Sequence, residues 1–366
     1  MIVFCHLLND NSGSPRVLRD AIKTIAGADD MLFVGAHGDG LLSNTGLTTR
    51  KYWYWRTGWR IPTLFTYLAS QVFLYRALRR CAKDIPQDAI IYVNTLLPFG
   101  AALWARRNRR RVLWHVHEIS ISPAPLRWAL IAIASRTADR LIYVSQEHRS
   151  RLPIGQVSAG VVHNAISEEL FEKAQSHEYV LRRDGVFRVL MLASLRRYKG
   201  IPEFMALARA FAHRNDIRFV LVANEAEPDV RRYLAAHPPP ENMDLHPRTD
   251  DPARYYRDAS VLLNLSRPDM WVETFGLSVA EAMGFGIPVI APPVGGPAEI
   301  LRDGIDGFLI DSRETKRLCD CIGKLADDKD LCLRLSQNAR DRSREFAPQR
   351  FRQRLAEQIV KLSGGT

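Results

Sequence analysis

The chain has 366 residues, 46% hydrophobic and 25% charged, which is an ordinary globular composition with room for two domains, each with its own core. Its net charge of +11 is localised, because residues 50–111 hold thirteen Lys or Arg against two acids, Asp84 and Asp88, and the remainder is balanced. No stretch reaches the roughly 18 apolar residues of a membrane span, and the run Ile2 to Leu8 is too short and lacks the basic flank of a secretion signal. Five cysteines without paired CxxC blocks exclude a zinc ribbon and read as reduced thiols, which fits a cytoplasmic protein.

Along the chain, strand-length apolar runs occur at IVFCHLL (2–8), MLFVG (31–35), AIIYV (89–93), VLWHV (112–116) and LIYVS (141–145). They resume at FRVLMLA (187–193), IRFVLVA (217–223), SVLLNLS (260–266) and IPVIA (287–291). Amphipathic segments separate most of them, which predicts a parallel α/β architecture. The pattern breaks in a polar, charge-rich stretch over 167–186. This places an interdomain linker at 171–186, between Rossmann-like domains at 1–170 and 187–345, with a C-terminal segment of about 346–366 available to pack back on the first. Two doubly wound halves facing a central cleft are expected, with ligands beyond the carboxyl ends of the strands.

The segment 50–80 carries nine aromatic side chains between Tyr52 and Tyr75. Ile61, Leu64, Phe65, Leu68, Val72 and Tyr75 fall at helical spacing. One reading packs this helix on the N-terminal sheet. The other lays Trp53, Trp55 and Trp59, with the nearby arginines, in a lipid headgroup layer. A localised basic region of this kind points to a fixed anionic partner, a lipid surface or a nucleic acid.

The stretch MWVETFGLSVAEAMGFGIPVIAPPVGGPAEI (270–300) sets Glu273 and Glu281 on either side of a small, uncharged run. A buried helix is expected from Gly276, so Glu273 precedes it and Glu281 lies about one turn inside. The backbone N–H groups of Phe275, Gly276 and Leu277 then fall between the two acids. A helix N-terminus binds anions, and a glycine lets the ligand approach closely. Carboxylates accept hydrogen bonds from sugar hydroxyls. Acid, phosphate cradle, acid is therefore the layout for a sugar–diphosphate–ribose, with Glu273 on the sugar and Glu281 on the ribose diol.

The E-x7-E spacing, GIPVIAPPVGGPAEI, DGIDGFLI (303–310) and ASLRRYKG (193–200) resemble the retaining glycosyltransferases of family 4, the glycosyl transferases group 1 with the GT-B fold. The resemblance covers most of the C-terminal half. It implies that Lys199 and Arg196, with Arg197 behind it, reach the donor phosphates, and that Gly295, Gly296 and Glu299 contact the donor. The N-terminal half is similar more weakly. LLNDNSGSPRVLRDA (7–21) resembles the loop facing the donor diphosphate, which brings in Gly13 and Ser14. HVHEI (115–119) maps His117 onto the histidine near the reacting centre. VVHNAI (161–166) resembles the segment before the interdomain linker. LVANEAE (221–227) departs from the family's Gly-x-Gly turn.

By that resemblance the chain moves a sugar, with retention, from a nucleoside diphosphate to a hydroxyl. The leaving diphosphate is stabilised by Lys199, Arg196 and the N–H cradle. No DxD pair follows a strand in a suitable position, so neither a metal nor another cofactor is expected. The basic, Trp-rich half suggests a lipid-linked oligosaccharide acceptor in bacterial surface-polysaccharide synthesis (O-antigen, capsule or exopolysaccharide). The enzyme would then be cytoplasmic and peripheral on the anionic inner face of the plasma membrane. Plainer readings stand beside these: Glu281 as a solvated acid, Glu299 as a first-turn helix charge, and His117 as a satisfied core histidine, with His115 on the same side of its strand. A nucleotide-sugar epimerase is the rival enzyme. Aromatics among arginines could stack bases, but no nucleic-acid module appears, so nucleic acid is not an expected partner. No GxGxxG follows a strand, which argues against a dinucleotide oxidoreductase.

Overall fold

The computed structural model describes every residue except 37, 365 and 366, so the last two positions of the expected segment 346–366 lie outside the described residues. The chain divides into two compact units, Met1–Asn164 with Phe351–Thr366, and Ala165–Arg350. Each is an α/β Rossmann-like unit built on one parallel sheet.

The first sheet is formed by β1 (Ile2–His6), β2 (Met31–Gly35), β3 (Thr48–Tyr52), β4 (Ile90–Asn94), β5 (Arg111–Val116), β6 (Arg140–Tyr143) and β7 (Ala159–Val161), in the order β3-β2-β1-β4-β5-β6-β7. The second comprises β8 (Phe187–Ala193), β9 (Ile217–Ala223), β10 (Met243–His246), β11 (Val261–Leu263), β12 (Val289–Ala291) and β13 (Gly307–Leu309), in the order β10-β9-β8-β11-β12-β13. The strand order reverses between β1 and β4 in one unit and between β8 and β11 in the other. In an open parallel sheet that reversal splays the flanking loops and leaves a crevice beyond the strand ends.

The central strands are mostly apolar because helices cover both faces. β2, β4, β6, β11 and β12 have every residue buried. The four strands without a predicted apolar run are β3, β7, β10 and β13, and these are the four sheet edges. Their sequences, TTRKY, AGV, MDLH and GFL, are half-exposed or too short to show a pattern, as edge strands tend to be.

Two expectations are corrected. The segment 171–186 is not a free linker, because it belongs to the second unit. The helix Glu168–Gln175 buries Leu170 and Ala174, and beyond it the Tyr179 hydroxyl donates to the Ser260 carbonyl at 2.7 Å. Only one narrow apolar stripe faces inward, so its sequence reads as polar. The other correction concerns the helix Arg60–Arg80. Its buried face is Tyr67, Ser70, Gln71, Leu74 and Leu78, with Leu64 and Tyr75 partly buried against the same core. Ile61, Phe65, Leu68 and Val72, expected on that face, are exposed.

In the first unit, the C-terminal helix Pro348–Ser363 buries Phe351, Leu355 and Gln358. Gln358 Oε1 accepts Arg140 Nε at 2.8 Å and fills the space a side chain on Gly160 would take. All five cysteines are free thiols. Among the described residues no helix is long and apolar enough to cross a membrane.

Candidate functional site

In the second unit, the loops after β8 and β11 flank the point of strand reversal, and they carry Lys199 and Glu273. The 3-10 turn Arg197–Lys199 ends at Gly200, which is left-handed at φ +82°. A Cβ at Gly200 would lie 2.1 Å from the Leu265 carbonyl oxygen, so only glycine fits between these loops. The close approach delivers Lys199 Nζ to Glu273 Oε2 at 2.5 Å, and Ser266 Oγ donates to the same oxygen at 3.1 Å. Both charged side chains are about four-fifths buried, at 20% and 21% exposure. Burial pushes the Glu273 carboxyl up, but the charge and hydrogen bond of Lys199, with the Ser266 hydroxyl, outweigh it and hold the group below the usual carboxylate range. Tyr198 and Trp271 flank the ammonium, with Nζ 6.0 and 5.9 Å from their ring centroids.

Glu273 is fixed from below by the glycine pair. Gly296 N donates to the Glu273 carbonyl at 2.8 Å, and Cβ atoms at Gly295 and Gly296 would strike the backbone of Glu273 and Phe275. These glycines are therefore required by loop packing, apart from any contact with a ligand. Gly276 is left-handed at φ +98° and opens the helix Leu277–Gly284, whose first amides point back into this loop. The Phe275 ring is buried edge-on against Phe346.

Four further candidate residues, Glu281, Glu299, Arg196 and Arg197, have distinct settings. Glu281 is not on an exposed face. It is 3% exposed, on a helix buried nearly all round, and its Oε2 accepts the Tyr256 hydroxyl at 2.6 Å. Glu299 is half-buried in the first turn of the short helix Gly296–Ile300, where its carbonyl accepts Arg342. Arg196 and Arg197 are both exposed, and neither forms a side-chain hydrogen bond or ion pair among the described residues. In the unusual LVANEAE turn, Glu225 accepts the Leu195 amide at 3.1 and 3.0 Å through its two oxygens and so braces the loop leading to Lys199.

In the first unit the reversal lies between β1 and β4, and polar side chains end both strands. Asn94, at the end of β4, receives His117 Nε2 on Oδ1 at 2.8 Å, and its amide nitrogen lies 3.1 Å from both His6 Nδ1 and the Ser14 carbonyl. One asparagine thus joins three elements, including the helix start that carries Gly13 and Ser14. Gly13 opens the helix Gly13–Ile25 with nothing within 4 Å of where a Cβ would stand.

The His117 ring packs on His115 at 4.3 Å between centroids, and His115 meets the Tyr92 hydroxyl at 2.6 Å. His148 Nε2 donates to the Glu118 carbonyl at 2.9 Å, while the Glu118 carboxylate accepts the amides of Leu96 and His117. Burial pulls every imidazole down: His6 and His148 to about 4, His115 to about 3, and His117 well below 6.5, with neighbouring histidines adding to the shift for the last two. Burial pushes Glu118 up, against the amides that stabilise its charged form. This is a cluster of neutral imidazoles at neutral pH.

His6, Asn94, His148, Ser266, Tyr198, Trp271 and Tyr256 were not singled out in the sequence. His6 and Asn94 had a usable signal, since each is the polar last residue of an otherwise apolar strand.

Residues 172–342 match the family model described as Glycosyl transferases group 1. A D-inositol 3-phosphate glycosyltransferase of Corynebacterium efficiens is 26% identical over 326 residues, which is 86% of this chain and 69% of that protein. One of Xylanimonas cellulosilytica is 36% identical over 117 residues, 32% of this chain, and the match spans only a quarter (25%) of that relative's length. The crystal structure of Anabaena HepE in complex with UDP-glucose superposes with a TM-score of 0.77 at 20% identity, over 98% of this chain and 99% of that one. The two parallel-sheet units therefore have the GT-B fold, and residues 172–342 are similar to the glycosyl transferases group 1.

Proposed function

We propose that the protein is a retaining glycosyltransferase of family 4 that moves a sugar from a nucleoside diphosphate to a hydroxyl of a lipid-linked oligosaccharide in surface-polysaccharide synthesis. The observation that carries the reading is the Lys199–Glu273 pair at the strand reversal of the unit that matches the group 1 model. Lys199 takes the donor diphosphate, assisted by the exposed guanidinium of Arg196 and by the amides of Phe275, Gly276 and Leu277. Diphosphate binding draws Lys199 off Glu273, and the freed carboxylate accepts hydroxyls of the donor sugar. Glu281 holds the ribose, and Gly295, Gly296 and Glu299 form the floor and edge of the donor pocket. Gly13, Ser14 and the neutral His117 serve the reacting end of the donor.

In the reaction the anomeric C–O bond to the β-phosphate breaks as the bond to the acceptor oxygen forms on the same face. The acceptor proton passes to the departing phosphate oxygen. Lys199 stabilises the charge that grows there. UDP-sugars are the first donors to test, given the UDP-glucose bound by HepE.

Glu281 supplies a test in which stability and binding separate. Glu281→Ala removes the acceptor of the buried Tyr256 hydroxyl and is expected to lower stability by about 1–3 kcal/mol, read by chemical denaturation. Glu281→Gln keeps a carbonyl acceptor for Tyr256, so it should fold nearly as well yet bind donor more weakly by about 1.5–3 kcal/mol, read by calorimetry. Donor affinity unchanged in the Gln variant would remove Glu281 from the donor site.

A further inference from the structure

The helix Arg60–Arg80 is apolar on two faces. Leu74 and Leu78 are fully buried on one, against the first unit's core. On the other, Ile61 (71% exposed), Phe65 (68%), Leu68 (43%) and Val72 (51%) follow steps of four, three and four residues and form one stripe. A helix apolar on both sides is normally covered on both sides, and here the outer face is bare. No charged residue occurs from Ile61 through Tyr75, a length of about 22 Å of helix.

The ends of the stripe have a definite chemistry. Arg60 stands at the start and Arg76, Arg79 and Arg80 at the finish, and none of the four forms an ion pair among the described residues. Trp59 (79% exposed) and Trp55 lie on the loop before the helix. That loop is tied to the first helical turns, because Thr66 Oγ1 donates to the Trp55 carbonyl at 2.6 Å and the Thr57 and Thr63 hydroxyls meet at 2.8 Å. From Arg50 to Arg80 there are seven Lys or Arg and no acid.

We propose that this face docks in the headgroup layer of an anionic bilayer. The helix lies in the membrane plane, with Ile61, Phe65, Leu68 and Val72 sunk toward the acyl boundary, and Trp55 and Trp59 sit at the interface, where an apolar ring with a polar edge is at home. The terminal arginines reach lipid phosphates. Charge decides against a second copy of this chain as the occupant: it would bring two acid-free basic patches together, whereas an anionic leaflet complements the patch. The proposal deepens the membrane part of the function proposed above, and rests on that reading only for the identity of the acceptor.

The test is sedimentation of the full chain with phosphatidylcholine vesicles, alone or with 30% phosphatidylglycerol, at low and high salt. Wild type should pellet with the phosphatidylglycerol vesicles only, and be released by salt. Phe65→Ser with Val72→Ser, both on the surface, should keep the circular dichroism spectrum and lose at least tenfold in partitioning. Arg76→Gln, Arg79→Gln and Arg80→Gln together should lose on the order of 100-fold, about fivefold for each arginine. Equal partitioning of wild type and the Ser variant, or no binding to anionic vesicles, would overturn the proposal. So would light scattering that shows a dimer dissolved by the same Ser substitutions. Nucleotide-sugar binding measured without vesicles reads the transferase assignment separately. Vesicle binding without donor binding would sink that assignment alone, and the reverse result would sink only the membrane face.

Discussion

Replacing Lys199 by Ala is expected to lower turnover by about 100- to 1000-fold, the usual effect of removing one group that stabilises transition-state charge, and to weaken donor binding much less. The ammonium is four-fifths buried and already poised on a carboxylate, so its field is little screened. Its interaction strengthens as the diphosphate leaves, and that difference between ground and transition state is what enters the rate. The substitution has a second consequence. It strands Glu273 as a buried carboxylate held by the Ser266 hydroxyl, and breaking such a pair destabilises by about 3–5 kcal/mol. A double variant separates the effects. Lys199→Met with Glu273→Gln removes both charges, so denaturation should show much of the stability restored while turnover stays low. If turnover of Lys199→Ala remains within about twofold of wild type, Lys199 does not face the phosphates.

Acid should unfold the first unit early. The folded-state values of His6 and His148 lie near 4 and that of His115 near 3, against about 6.5 for an exposed imidazole. Below pH 6.5 the unfolded chain therefore takes up protons that the folded chain refuses. The stability these histidines contribute is complete above 6.5 and is lost as pH falls toward 4. Each loses at most about 1.4 kcal/mol per pH unit in that window. Glu118, held up by burial, works in the opposite direction and offsets part of the loss. Asp10 acts on His6, and Tyr92 stays neutral throughout the range. A net loss of about 4 kcal/mol or more between pH 7 and pH 5 is expected, large against a typical stability of about 5–15 kcal/mol. Thermal melts across this range should show it. His148→Gln places an amide nitrogen where Nε2 donates to Glu118 and does not titrate, so it should flatten the profile. A melting temperature constant from pH 7 to 5 would mean that the cluster hydrates and protonates without unfolding.

The central strands were legible in the sequence because burial on both faces writes a continuous apolar run, as in IIYVN and FRVLMLA. The edge strands TTRKY and MDLH were not, since one side of the sheet ends there and solvent reaches the chain. The helix Arg60–Arg80 shows where periodicity fails. Apolar residues lie on both faces, and the face on the core includes Ser70 and Gln71, which satisfy themselves through the Tyr67 carbonyl and the Gly100 amide. Pattern alone therefore chose the outer stripe. At the candidate site, Glu273 and Lys199 could be named from their motifs, but their contact depends on a glycine that lets two loops touch. His6, Asn94 and His148 are far apart in the chain and meet only through the strand order of a sheet, which no local pattern encodes. Glu281 could be placed on a helix expected to be buried, but its partner Tyr256 comes from a helix 25 residues earlier and no local pattern pairs them.

The most direct test is to incubate the protein with UDP-, GDP- or dTDP-sugars and a polyprenyl-diphosphate-linked acceptor, in the presence of chelator, and to follow the product by NMR. Acceptor-dependent release of the nucleoside diphosphate is expected for one donor, with the sugar joined to the acceptor in its original anomeric configuration and the reaction nearly abolished in Lys199→Ala. Interconversion of the donor sugar without acceptor, or no acceptor-dependent release with any of the three donors, would contradict the account.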